Sequence, residues 1–132
     1  MNTELVRKIG SVEQDNLIVR LTPAAETFGV VIRKTESETV LKRGTLLGKS
    51  SVDGKLIVYG TAKDGKTETE EITPFCVLAD DVAVDADADA VGVAYRSGNF
   101  NRSAIITADG YTLTDKDEDE LRKFDIIFTD TI

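Results

Sequence analysis

FCVLADDVAVDADADAVGVAYRSGNF, residues 75–100, is the stretch on which the fold turns. Its first five residues form an unbroken apolar run, the pattern of a strand covered on both faces and therefore central to a core. Further on, AVGVAYRSG alternates: Val91, Val93 and Tyr95 fall on one face, Gly92, Ala94 and Arg96 on the other. That period of two suits a strand paired with the first. Asp85, Asp87 and Asp89 stand at alternate positions in the connection between them.

Spaced aspartates raise the question of calcium. A twelve-residue EF-hand loop begun at Asp85 puts Asp87 and Asp89 at positions three and five, but position six is Ala90 where the turn needs Gly, and position twelve is Arg96 where a bidentate Glu is needed. The flanks read as strands, whereas an EF-hand needs helices. The acidic run DKDEDE from Asp115 fails the same test, with Glu120 at the sixth position and Ile126 at the twelfth. The first cluster reads as a solvated acidic connection and the second as the charged start of a helix.

Working outward, SSVDGKLIVYG (residues 50–60) is a hairpin signal, because Asp53-Gly54 supplies the positive backbone angle of a tight turn and KLIVY returns as a strand. VLKRGTLLGKS (40–50) is an apolar strand start interrupted by Gly44, and SAIIT (103–107) reads as a short strand. Thr114 with Asp117 three places on forms a capping-box start for one short helix, DKDEDELRK, whose acidic first turn and basic end suit the helix dipole. FDIIFTDTI (124–132) closes the chain as a strand. Residues 1–39 differ from the rest: NLIVRLT (16–22) and FGVVIRK (28–34) are short β-type runs separated by Pro23 and followed by polar residues. They are expected to form an extended N-terminal arm, with residues 40–132 as a single β-rich domain.

Composition narrows the chemistry. With 132 residues the chain suits one domain, and 16 basic against 24 acidic residues give a net charge of −8, which disfavours nucleic acid and anionic membrane surfaces as partners. No His is present and Cys76 is the one cysteine, so the usual zinc, haem and Ser-His-Asp arrangements are excluded, as is a disulfide-rich scaffold. Cys76, inside the apolar run, reads as a buried thiol. Lys63-Asp64-Gly65-Lys66 and the glycines at 44 and 48 lack the spacing of a phosphate loop. There is no signal-peptide-like start and no run of eighteen apolar residues, consistent with a soluble protein made in a reducing compartment. No catalytic residue, cofactor site or metal site is expected.

Taken in order, LKRGTLLGKSSVDGKLIVY, FCVLADDVAV, the aspartate connection and VGVAYRSGNFNRSAIIT resemble the head decoration proteins of tailed bacteriophages, the family typified by the lambda head protein D. In that family an apolar strand leads into a polar loop, and a later strand ends in an aromatic, a basic residue, Ser-Gly and a Phe two places on; here these are Tyr95, Arg96, Ser97, Gly98 and Phe100. The resemblance implies a mainly β, β-clip-like small barrel or ribbon domain with one short C-terminal helix. It implies a non-enzymatic homotrimer on the outer surface of the expanded capsid, made in the bacterial host cytoplasm and bound to the major capsid protein, which it cements against the pressure of packaged DNA. An arm that adds a strand to a neighbouring sheet edge would serve this role, through Leu17, Ile18, Val19, Phe28, Val30, Val31 and Ile32. An ordinary strand within the domain is the other reading of Leu17 to Val19. Tyr95, Arg96, Asn99 and Phe100 are candidates for trimer or capsid contact, with simple turn chemistry at Ser97-Gly98 as the alternative. Two other functions stay open: a trimeric head-fibre or spike module that binds a host surface, and a small hydrolase using paired carboxylates.

Because both acidic runs miss the calcium-loop register, millimolar calcium is expected to leave the melting temperature unchanged. A rise of many degrees, reversed by chelator, would contradict that reading.

Overall fold

A computed structural model describes residues 16–61 and 71–130 of the chain. The alternating segment becomes the strand β8 (Ala90–Asn101), and the apolar run lies in β6 (Ile72–Leu78). They pair antiparallel, with Val77 opposite Tyr95 and Leu78 opposite Ala94. The expected hairpin forms from β4 (Leu46–Ser50) and β5 (Leu56–Val58). Gly54, at φ +73°, turns it, the Gly54 N–H donates to the Ser50 carbonyl, and the Asp53 carboxylate accepts from the Lys55 N–H at 2.9 Å. β4 also pairs with β6.

The expected arm is corrected for residues 16–39. β2 (Glu26–Ile32) pairs with β8 along seven register positions, from Glu26 opposite Ser97 to Ile32 opposite Ala90. Its end reaches β5 in parallel at Ile32 and Leu56, reinforced by the Arg33 N–H on the Leu56 carbonyl. The order β8-β2-β5-β4-β6, with β6 returning to β8, closes a five-stranded barrel. β1 (Ile18–Arg20) is a further strand on β8, beside Phe100 and Asn99. The physical reason is burial: Leu17, Val30 and Ile32 have little surface left in solvent, and an arm would expose all three. Residues 1–15, the first part of the expected arm, lie outside the described residues.

The barrel has an inside and a covered outside. Inside, Val30, Ile32, Leu47, Leu56, Cys76, Leu78 and Ala94 form one cluster. One end of the barrel is closed by a separate ribbon of β3 (Thr39–Leu41) and β7 (Val82–Val84), which contributes Val84, Val82 and Leu41 to that cluster. Leu46 and Val77 point the other way, into a second cluster with Leu17, Phe100, Leu121, Ile126 and Phe128. This second layer is supplied by β1, by α1 (Asp115–Arg122) and by β9 (Ile126–Thr129), which runs parallel to the end of β8. β6 is thus covered on both faces, which is why its run is apolar at successive positions.

Two local expectations change. The residues of SAIIT begin in a 3-10 turn, Arg102–Ala104, capped by the Asn101 side chain, and only Ile106 makes an isolated bridge to Thr45. Ser97-Gly98 lies inside β8 and is no turn. Gly98 is needed there because its φ is +148° and because a Cβ would stand 2.7 Å from the Phe100 ring, which folds back over it.

The helix start follows its capping box, Thr114 with Asp117. Asp117 is buried and does more than cap: it accepts from the Tyr59 hydroxyl at 2.6 Å, from the Tyr111 hydroxyl and from the Thr114 N–H at 3.0 Å, joining α1 to the end of β5. At the other side Arg102 donates two bonds to Glu118, at 2.9 and 2.7 Å, and others to the Phe128 carbonyl and to Asp130, tying the 3-10 turn to α1 and β9. Burial pushes the Asp117 carboxyl up, but the bonds from Tyr111, Tyr59 and Thr114 outweigh it and hold the pKa below its ordinary value of 3.8. A depressed folded pKa stabilises the protein above the unfolded value, and that contribution is lost as pH falls below 3.8 through the lower folded value. Asp117→Asn is therefore expected to cost about 2 kcal/mol at neutral pH. It should also flatten the acid limb of a plot of melting temperature against pH, which thermal melting across that window checks.

Candidate functional site

The residues proposed from sequence do not converge on one site. Leu17 lies in the second cluster, with Ile18 packed against it, and Val19 is half-buried in β1. Val30 and Ile32 point into the barrel, Phe28 packs at its margin, and Val31 faces outward. Tyr95 is half-buried: its hydroxyl accepts from Arg43 at 2.6 Å and its ring lies 5.4 Å from that of Phe100. Asn99 is buried, donating to the Thr22 carbonyl and accepting from the Thr129 hydroxyl at 2.6 Å. Phe100 is fully buried. Of Tyr95, Arg96, Asn99 and Phe100 only Arg96 is exposed, paired with Glu26 at 3.3 Å.

Among the described residues, outward features that a partner could meet include the following two. One is an open groove of about 500 Å³ that brings Phe28 and Arg96 together with Phe75, Phe124, Pro23 and Asp125. Its floor is a ladder of rings, Phe28 to Phe75 at 6.1 Å and Phe75 to Phe124 at 5.5 Å, with the Lys49 ammonium 5.0 Å from the Phe75 centroid. Phe75 and Phe124 were not among the sequence candidates. The signal for Phe75 was hidden inside an apolar run, and Phe124 sits where a helix end meets a strand, a place with no fixed exposure. The second feature is the outward face of the β2–β8 ladder, where Val31, Val91 and Val93 stand uncovered.

The acidic connection is occupied with its own backbone. Asp85 accepts from the Asp87 and Ala88 N–H groups, a side-chain turn across the connection. Asp89 accepts from the Lys34 N–H and pairs with Lys55 at 2.6 Å, which holds its carboxyl below the ordinary aspartate range. Asp81 accepts from the Arg43 N–H. The aspartates therefore anchor the ends of β2, β5 and β8 to one another. Burial pushes the Cys76 thiol up to about 12, so it is protonated at neutral pH and contributes packing.

A family model described as bacteriophage lambda head decoration protein D matches residues 10–126. No curated protein matches the chain.

Residues four positions apart in one strand should differ sharply when truncated. Phe100→Ala leaves a cavity in the second cluster and is expected to cost about 3–5 kcal/mol. Arg96→Ala removes an exposed ion pair and should change stability by less than about 1 kcal/mol. Chemical denaturation of both variants checks the contrast, and near-equal losses would contradict the assignment.

Proposed function

The chain belongs to the bacteriophage lambda head decoration protein D family, and from that membership we propose that it binds the outer surface of an expanded phage capsid as a trimer and cements the shell. The observation that carries the reading is the family match across residues 10–126, which takes in β1 to β8 and the helix and ends at the first residue of β9. A structural, capsid-decorating role also suits what the fold offers a partner: exposed apolar strips on a rigid barrel. The proposed location is the exterior of the virion, the proposed partner is the major capsid protein, and synthesis takes place in the host cytoplasm.

The proposed mechanism is thermodynamic. A ligand that binds the expanded shell and not its precursor stabilises the expanded form by mass action, about 2.7 kcal/mol per site at a hundredfold excess over Kd. Three attachment points on one trimer make the second and third engagements intramolecular, so weak contacts add up to a tight clamp. The groove at Phe28, Phe124 and Arg96 is the body contact on this reading. The segments nominated for a strand-adding arm, Leu17 to Val19 and Phe28 to Ile32, are built into the domain itself, so on this reading an arm contact falls to residues 1–15, which lie outside the described residues.

The test is co-sedimentation with expanded and unexpanded shells, using the full chain and two truncations. The full chain should bind expanded shells alone; equal binding to both forms would overturn the cementing mechanism. Removing residues 1–15 takes away no described strand, so circular dichroism and melting should survive while binding falls roughly 100-fold or more. Undiminished binding by that truncated protein would end the clamp proposal. Removing residues 1–39 also deletes β1 and β2, with Leu17, Val30 and Ile32, and should unfold the domain.

A further inference from the structure

We propose that the outward face of the β2–β8 ladder, centred on Gly29, is the surface through which copies of this chain contact one another. The proposal rests on the trimer reading above and assigns it a location.

Alternation fixes the face. Val30 and Ile32 point into the barrel, so Thr27, Gly29 and Val31 point out; Ala94 points in, so Val91 and Val93 point out. Val31 stands opposite Val91 and Gly29 opposite Val93, making one continuous strip. Val91 is 77% exposed, Val31 46% and Val93 42%. Three valines on adjacent positions of a paired ladder form a contiguous apolar patch.

Charge argues for a second copy as the occupant. The chain carries −8, so two copies repel and can meet only where like charges are not opposed. Close to a threefold axis a residue meets its own copies: an acid there would meet acids, whereas a valine meets valines, so the neutral strip is placed at that axis. A different partner could match a charged face with the opposite charge and would need no neutral strip. This strip has no ionisable residue, and the charges that bracket it are balanced within the chain, by Arg33–Asp53 and Lys55–Asp89 at one end and Arg96–Glu26 at the other.

Gly29 supplies the second observation. It lies in the interior of β2, where a glycine weakens a strand. Nothing within the chain requires it: its φ is not positive, the register around it is unbroken from Thr27 to Ile32, and a Cβ there would meet no atom within 4 Å. A glycine that its own fold does not need fits a place where another backbone comes close.

The experiment reads association of the full chain by sedimentation equilibrium in solution and by cross-linking on expanded shells. Gly29→Thr has room in the free chain and adds a strand-favouring side chain, so its melting should match or exceed wild type while association weakens at least about tenfold. Val91→Glu should fold and be monomeric, and Val52→Glu, on the exposed β4–β5 turn, should associate like wild type. If both Gly29→Thr and Val91→Glu fold and assemble normally, the face is wrong while the trimer reading stands. If wild type is monomeric in solution and on shells, the trimer reading fails and this proposal falls with it.

Discussion

One strand's backbone hydrogen bonds carry the whole domain. β8 pairs with β2 and β6 along its first part and with β1 and β9 along its last, so four strands depend on its register. A slip of one residue would turn Ala94 outward and Val93 inward, and would disorder both clusters together. Its composition reflects that double duty. The N-terminal half uses small residues, Ala90, Gly92 and Ala94, toward a narrow barrel whose space is filled by Ile32, Leu47 and Leu78. The C-terminal half uses large ones, Tyr95 and Phe100, toward the outer layer.

The outer layer is held by a few polar ties of high value. Asp117 binds two tyrosines and the helix start at once, so α1 cannot shift without leaving a buried carboxylate unsatisfied. Gly60, at φ +94°, lets Tyr111 close over the end of β5, since a Cβ there would stand 2.5 Å from that ring. Arg102 secures the opposite flank through Glu118 and the Phe128 carbonyl. α1 is otherwise poorly anchored, with Leu121 as its one buried apolar side chain, so these ties decide its position more than apolar contact does.

What was legible in the sequence was local or periodic. The run at 75–79 announced a strand covered twice, Asp53-Gly54 announced a hairpin, and Thr114 with Asp117 announced a helix start, because each signal is completed within a few residues. The β-rich character and the one short helix followed from these, and the small barrel from the resemblance to the head decoration family. The membership of β2 in the barrel was not legible: its closure depends on Ile32 meeting Leu56 and on seven pairs with β8 about sixty residues away, which no local pattern records. FGVVIRK was read as an arm because Pro23 separates it from the run before it and polar TESET follows it. Ser97-Gly98 was read as a turn for the converse reason. The usual meaning of the dipeptide is local, whereas here Gly98 answers to the ring of Phe100. For the candidate site, the motif Tyr95 to Phe100 marked the family, but most of its residues serve the core.

That last point bears on how such a domain decorates a shell. Most of the residues that identify it by sequence are placed by register and layer packing, so they specify the scaffold and leave the contacts free to vary. A surface that must meet a foreign lattice or its own copies is under different constraints, namely neutrality where like faces like and apolar area where water must be displaced. On this chain those constraints are met by side chains that the barrel's alternation turns outward, on the same two strands whose inward residues close the core. A rigid ladder shared by core and surface holds the exposed strip at fixed spacing. Little ordering entropy then opposes each contact, which matters most when one weak contact is repeated around an axis.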